Sequence, residues 1–127
     1  MNNKRGSRVL IVDDIADNLL LLQLVLENEG YIVELAMNGV TALSKARASP
    51  PALVLLDVMM PEMNGFEVTQ HLRKTEGFSL LPIILVTADQ DVDLEQALAV
   101  GANDLICKPL DVDDLLARIK SCFAERA

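Results

Sequence analysis

The sequence has few basic residues, little cysteine or histidine, and no long apolar run. Eleven lysines and arginines stand against nineteen acids, a net charge of −8. That deficit argues against direct nucleic-acid binding, which needs a basic surface to replace counterions. Cys107, Cys122 and a single histidine, His71, are the only cysteines and histidine present. No CxxC and no Cys/His cluster suggests zinc. The two thiols are expected to be free and mostly buried. His71 falls in a helical stretch without residues that would activate it, and reads as a solvated helix position. The apolar runs are short, such as Val9-Leu10-Ile11-Val12, well below the length that crosses a bilayer. The basic start, Met1 to Arg8, leads into an apolar run too brief for a secretory signal. Repeats, low-complexity tracts and linkers are also missing. These absences point to a soluble, cytoplasmic chain with no membrane partner.

What is present fits one domain. The chain has 127 residues, 51% of them apolar, enough to bury one core without disulfides or a structural metal. A tail over 1–7 and a domain over 8–125 are expected. Short Val/Ile/Leu runs alternate with amphipathic stretches. Val9 to Val12, Tyr31 to Leu35, Leu53 to Leu56, Pro82 to Val86 and Asp104 to Cys107 read as strands. Helices are expected from about Ala16 to Glu29, from Gly39 to about Ala48, after Asn64, from about Asp91 to Val100, and after Asp111. Gly30, Pro50-Pro51 and Gly101 are the stops. Asn64 with Glu67 resembles a capping box, and Asp111 caps the last helix. Strict alternation implies an α/β fold of parallel strands joined by right-handed crossovers. Continuous apolar strands imply helices on both sheet faces.

Sites in such sheets form at the carboxyl ends of the strands. There stand Asp13 and Asp14, then Asp57, then Thr87, then Lys108-Pro109. Three carboxylates converging on one edge repel one another unless a cation compensates. Magnesium, which favours hard oxygen ligands and keeps waters, suits them. An ionised carboxylate beside a cation and an ammonium can attack a phosphoryl group without a general base. Each residue alone is weak evidence; the combination, in order and at the right strand ends, carries the reading.

The segments Val9-Leu10-Ile11-Val12-Asp13-Asp14, Leu55 through Gly65, Val86-Thr87-Ala88 and Lys108-Pro109 resemble the receiver domains of two-component response regulators. The resemblance covers about Arg8 to Phe123, and Asp57 through Gly65 is its most diagnostic part. It implies a flavodoxin-like sheet of order 2-1-3-4-5. It implies that Asp57 accepts a phosphoryl group from a sensor histidine kinase or histidine phosphotransfer domain. Asp14 and Asp57 match Mg2+ ligands, Asp13 assists directly or through water, and the Met59 carbonyl completes the set. Thr87 matches the switch hydroxyl, Lys108 the phosphate-pairing ammonium, and Lys108-Pro109 a cis bond. Such a domain is no conventional enzyme, since it catalyses only its own phosphorylation and dephosphorylation. The resemblance also admits a homodimer through helix 4, strand 5 and helix 5. Leu105 departs from the pattern, standing where many receivers carry an aromatic residue. Met59 and Asp89 occupy positions that tune phosphate lifetime in the family.

Two other magnesium or phosphate folds fit less well. A haloacid-dehalogenase-type phosphatase needs a second Asp two residues after its nucleophile, where Ile15 follows Asp13. A flavodoxin-like cofactor binder needs a Ser/Thr/Gly-rich loop where Asp13-Asp14-Ile15 stands. In the first helix Leu22, Val25 and Leu26 form an expected inward stripe. Leu20 and Leu24 are then exposed, either as ordinary surface leucines or as a patch for the phosphodonor. Asp89, Asp91 and Asp93 read as a solvated loop and helix start.

Overall fold

A computed structural model describes residues 6–126. The expected tail, 1–7, therefore lies outside the described residues except for Gly6 and Ser7. The elements are β1 (Arg8–Val12), α1 (Ala16–Asn28), β2 (Ile32–Ala36), α2 (Gly39–Ala48), β3 (Leu53–Asp57), α3 (Gly65–Lys74), β4 (Ile83–Thr87), α4 (Leu94–Ala99), β5 (Asp104–Cys107) and α5 (Val112–Arg126). All pairings are parallel. The strand order is β2-β1-β3-β4-β5, as the resemblance implied.

Side chains alternate across a strand, so each apolar run feeds two cores. Val9, Ile11, Leu53, Leu55, Ile84, Val86 and Ile106 pack under α1 and α5 with Leu19, Leu22, Leu26, Leu115 and Ile119. Leu10, Val12, Val54, Leu56, Ile83, Leu85 and Leu105 pack under α2, α3 and α4 with Leu43, Val68, Leu72 and Ala97. Tyr31 and Phe123 stack at 5.9 Å between ring centroids. The central strands β3 and β4 are buried throughout. The edge strands β2 and β5 expose Ile32 and Cys107 at an end. The expectation that both thiols are mostly buried therefore holds for Cys122 and fails for Cys107, which is exposed. No helix among the described residues is long and apolar enough to cross a membrane.

Element ends differ from the expected ones where local hydrogen bonds decide. Tyr31 is excluded from β2 because its N–H closes the α1 C-terminus on Leu26 O. The fourth helix starts at Leu94 rather than near Asp91. The Asp89 carboxylate takes the Asp91 N–H in a turn, and Asp93 forms a capping box with Gln96. Asp and Ser side chains compete with helix in this way. In α1, Leu19 joins Leu22 and Leu26 in the core, Val25 is only partly buried, and Leu21 is exposed beside Leu20 and Leu24.

Candidate functional site

The parallel sheet brings the carboxyl ends of β1, β3, β4 and β5 to one edge. Asp13 follows β1, and its backbone N–H is fixed on Ala36 O of β2. Its side chain is held from three directions. Oδ1 accepts the Ile15 N–H at 2.9 Å. Oδ2 accepts Asn18 Nδ2 at 3.2 Å and Lys108 Nζ at 3.4 Å. Asp57 ends β3, and its Oδ1 accepts the Met59 N–H at 3.2 Å. Lys108 Nζ lies 3.9 Å from Asp57 Oδ2, and so sits between the two acids. Asp13, Asp14 and Asp57 each offer a carboxylate oxygen within 4.8 Å of the others. Asp13 and Asp57 are buried, at 3% and 5% exposure.

Lys108 reaches this position from a cis Lys108-Pro109 peptide, with its backbone N–H on Thr87 O. Thr87 is fully buried at the end of β4. Its hydroxyl accepts the Asp89 N–H at 3.0 Å, within its own loop. Asp13, Asp14, Asp57 and Lys108 thus share one volume, and Thr87 stands on the adjacent strand. His71 is exposed on α3, and Asp91 and Asp93 are exposed as a solvated loop would be. Leu105 is buried in the core under α3 and α4.

One ammonium faces three carboxylates, and the electrostatics show the imbalance. Burial and then the neighbouring Asp13 charge push the Asp57 carboxyl up to about 6; Lys108 and the Met59 N–H oppose this, and Asp14 adds to it. A group of oxygen ligands short of positive charge suits a hydrated divalent cation. Among the described residues no histidine or cysteine joins the cluster, so magnesium fits better than zinc or copper. Beside the acids opens a cavity of about 300 Å³, walled by Leu21, Leu22, Leu55, Val86 and Leu110, with Asn18 and Lys108 on its polar side.

The family model for the response regulator receiver domain matches residues 9–120. The chain belongs to this family. Among curated relatives, this receiver is 43% identical over 118 residues to an uncharacterized transcriptional regulatory protein, YkoG, of Bacillus subtilis, covering 92% of this chain and 51% of that one. It is 44% identical to the response regulator PleD of Caulobacter vibrioides over 117 residues, covering 91% of this chain and 26% of PleD. The receiver thus spans about half and about a quarter of the lengths of these relatives. Among solved structures, it superposes with a TM-score of 0.86 on the receiver domain of sensor histidine kinase PA1611 from Pseudomonas aeruginosa. That match has 28% identity and covers 94% of this chain and 98% of the other, and the PA1611 domain holds a magnesium ion in its active-site cleft. Receiver domains are phosphorylation switches of two-component systems, and that general role applies here.

Two features of the site were not singled out from the sequence. Asn18 reaches Asp13 only because α1 packs back over β1, which spacing alone does not reveal. The apolar cavity wall likewise joins residues distant in sequence. A weak signal existed for Asn18: an amide at the third position of a helix whose N-cap, Ile15, has no capping side chain.

Proposed function

We propose that this receiver, a domain extending over 8–125, accepts a phosphoryl group on Asp57 from a histidine kinase or histidine phosphotransfer domain in a magnesium-dependent reaction. The observation that carries the proposal is the cluster itself: three carboxylates within 4.8 Å, two of them buried, with one ammonium 3.9 Å from Asp57. Asp13, Asp14, Asp57 and the Met59 carbonyl would hold the magnesium ion. When bound, that ion would neutralise charge on the phosphoryl oxygens and lower the repulsion among the acids.

The rest is done by the protein's own groups. Met59 N–H holds Asp57 Oδ1, which leaves Oδ2, on the Lys108 side, as the attacking oxygen. A bond forms between Oδ2 and phosphorus while the P–N bond to the donor imidazole breaks. The imidazole keeps the electron pair and takes a proton. The ionised carboxylate has no proton to lose, so no general base is needed. Lys108 then leaves Asp13 to pair with the new phosphoryl oxygens. Thr87 exchanges its bond to the Asp89 N–H for a donor bond to the same group. Both moves draw the loops after β4 and β5 inward and bias the domain toward a second arrangement. The face of α4, β5 and α5, with Leu94 and Leu98 half-exposed, is where a second copy would dock. The domain works in the cytoplasm, and its acidity argues against direct contact with nucleic acid.

Incubation with radiolabelled acetyl phosphate tests this. Wild type is expected to take up label in magnesium and to lose nearly all uptake in EDTA. Asp57→Ala is expected to stay unlabelled in both. Equal labelling of wild type and Asp57→Ala would move the acceptor elsewhere, and labelling indifferent to EDTA would remove the cation.

A further inference from the structure

At the start of α1, two positions that normally serve the helix serve Asp13 instead. In α3 and α4 the third helical residue, Glu67 or Gln96, returns its side chain to the N-cap backbone and completes a capping box. In α1 the third residue is Asn18, and its amide leaves the helix for Asp13 Oδ2 at 3.2 Å. The N-cap is Ile15, with no capping side chain, and its own N–H is spent on Asp13 Oδ1 at 2.9 Å. Breaks in local helix logic of this kind concentrate at functional sites.

We propose that Asn18 is a positioning residue that aims the Asp13 carboxylate at the cation site; this rests on the magnesium reading above. The physical argument concerns charge. Asp13 Oδ2 has two donors, Asn18 Nδ2 at 3.2 Å and Lys108 Nζ at 3.4 Å. A carboxylate oriented only by Lys108 would have its charge cancelled by the group that fixes it, and Lys108 would be drawn away from Asp57. A neutral amide orients the oxygen without cancelling its charge. It also keeps Lys108 between Asp13 and Asp57, 3.4 and 3.9 Å away, and available to an incoming phosphoryl group. Outer partners that orient a ligating carboxylate commonly govern metal affinity. The Ile15 N–H fixes the other oxygen, so Asn18 removes the remaining freedom of the side chain.

The test uses the purified full chain and magnesium chloride as the titrant, followed by calorimetry. Asn18→Leu keeps the size and removes the donor; Asn18→Gln keeps a donor. Asn18→Leu should weaken magnesium binding roughly tenfold, and Asn18→Gln should stay within about threefold of wild type. In acetyl phosphate labelling, the half-saturating magnesium concentration should rise for Asn18→Leu while the rate at saturation is nearly kept. Melting in EDTA checks that each variant is folded, and Asn18→Ala repeats the measurement should leucine disturb α1. Wild-type affinity in the donor-less variants, or equal losses in Asn18→Leu and Asn18→Gln, overturns the positioning role while leaving the site reading intact. A wild type that binds no magnesium overturns both.

Discussion

Replacing Gly65 by alanine is expected to destabilise the receiver by about 3 kcal/mol and to slow phosphorylation of Asp57 about 10- to 100-fold. Gly65 opens α3, and its N–H bonds Val58 O at 2.9 Å. A Cβ there would stand 2.5 Å from Asp57 O and 2.8 Å from Val58 Cα. Both are backbone atoms of the strand end that carries Asp57, the proposed phosphoacceptor, so neither can step aside as a side-chain tip would. Either α3 moves off or Asp57 does. A displacement approaching an ångström at a reacting group costs on the order of a hundredfold, which sets the kinetic range. Gly39 gives the contrast. Its added Cβ would meet Met63 Sδ and Val68 Cγ2, each at 2.8 Å. Met63 Sδ can swing aside, but Val68 is fully buried and stiff at its first torsion, so Gly39→Ala should cost about 1–2 kcal/mol. The crowding falls on side chains of α3 and its preceding loop rather than on the Asp57 backbone, and labelling should stay nearly intact. Thermal melts and acetyl phosphate labelling of the two variants measure the difference.

Asp57→Asn is expected to stabilise the metal-free domain while abolishing phosphorylation. The Asp57 carboxyl titrates at about 6 in the folded chain because burial and Asp13 disfavour its charge, against about 3.9 for an unfolded aspartate. Between those values the folded state holds more protons than the unfolded state. Wild-type stability in EDTA therefore falls as pH rises from about 4 to about 6 on this group's account, and the penalty persists above that. Removing the charge should give about 1–2 kcal/mol at neutral pH, a range kept modest because the adjoining cavity admits screening water. The corresponding rise in Tm is roughly 3–8 °C. At pH 4 the gain should vanish, because the wild-type carboxyl is then protonated in the folded state. Excess magnesium should reverse the ranking, since binding at about 100 times Kd would stabilise wild type by about 2.7 kcal/mol and the variant would lack one of the proposed ligands. Melting curves from pH 4 to 8, in EDTA and in magnesium, measure both signs.

Much of this was legible in the sequence, for physical reasons. The Val/Ile/Leu runs of β1, β3 and β4 are buried on both faces, so composition alone marked them. Asp13, Asp57, Thr87 and Lys108 could be placed on one edge because parallel strands end together. Asn64 with Glu67 and Asp111 with Asp114 form the caps their spacing implied. Less legible was whatever depends on tertiary hydrogen bonds. The Asp89–Asp91 turn shortens α4, and the α1 closure on Tyr31 delays β2. Cys107 lies at the end of an edge strand, where a buried thiol was expected. Asn18 left only a weak trace in the sequence, because its partner, five residues back, is reached only across the β1–α1 turn.

The most direct measurement is chemical trapping of the acceptor. An aspartyl phosphate is reduced by borohydride to homoserine, which peptide mass mapping locates. After acetyl phosphate treatment in magnesium, homoserine is predicted at position 57 alone, and nowhere when EDTA is present. Homoserine at position 13 or 14, or label carried by His71 with no homoserine formed, would contradict Asp57 as the residue that receives the phosphoryl group.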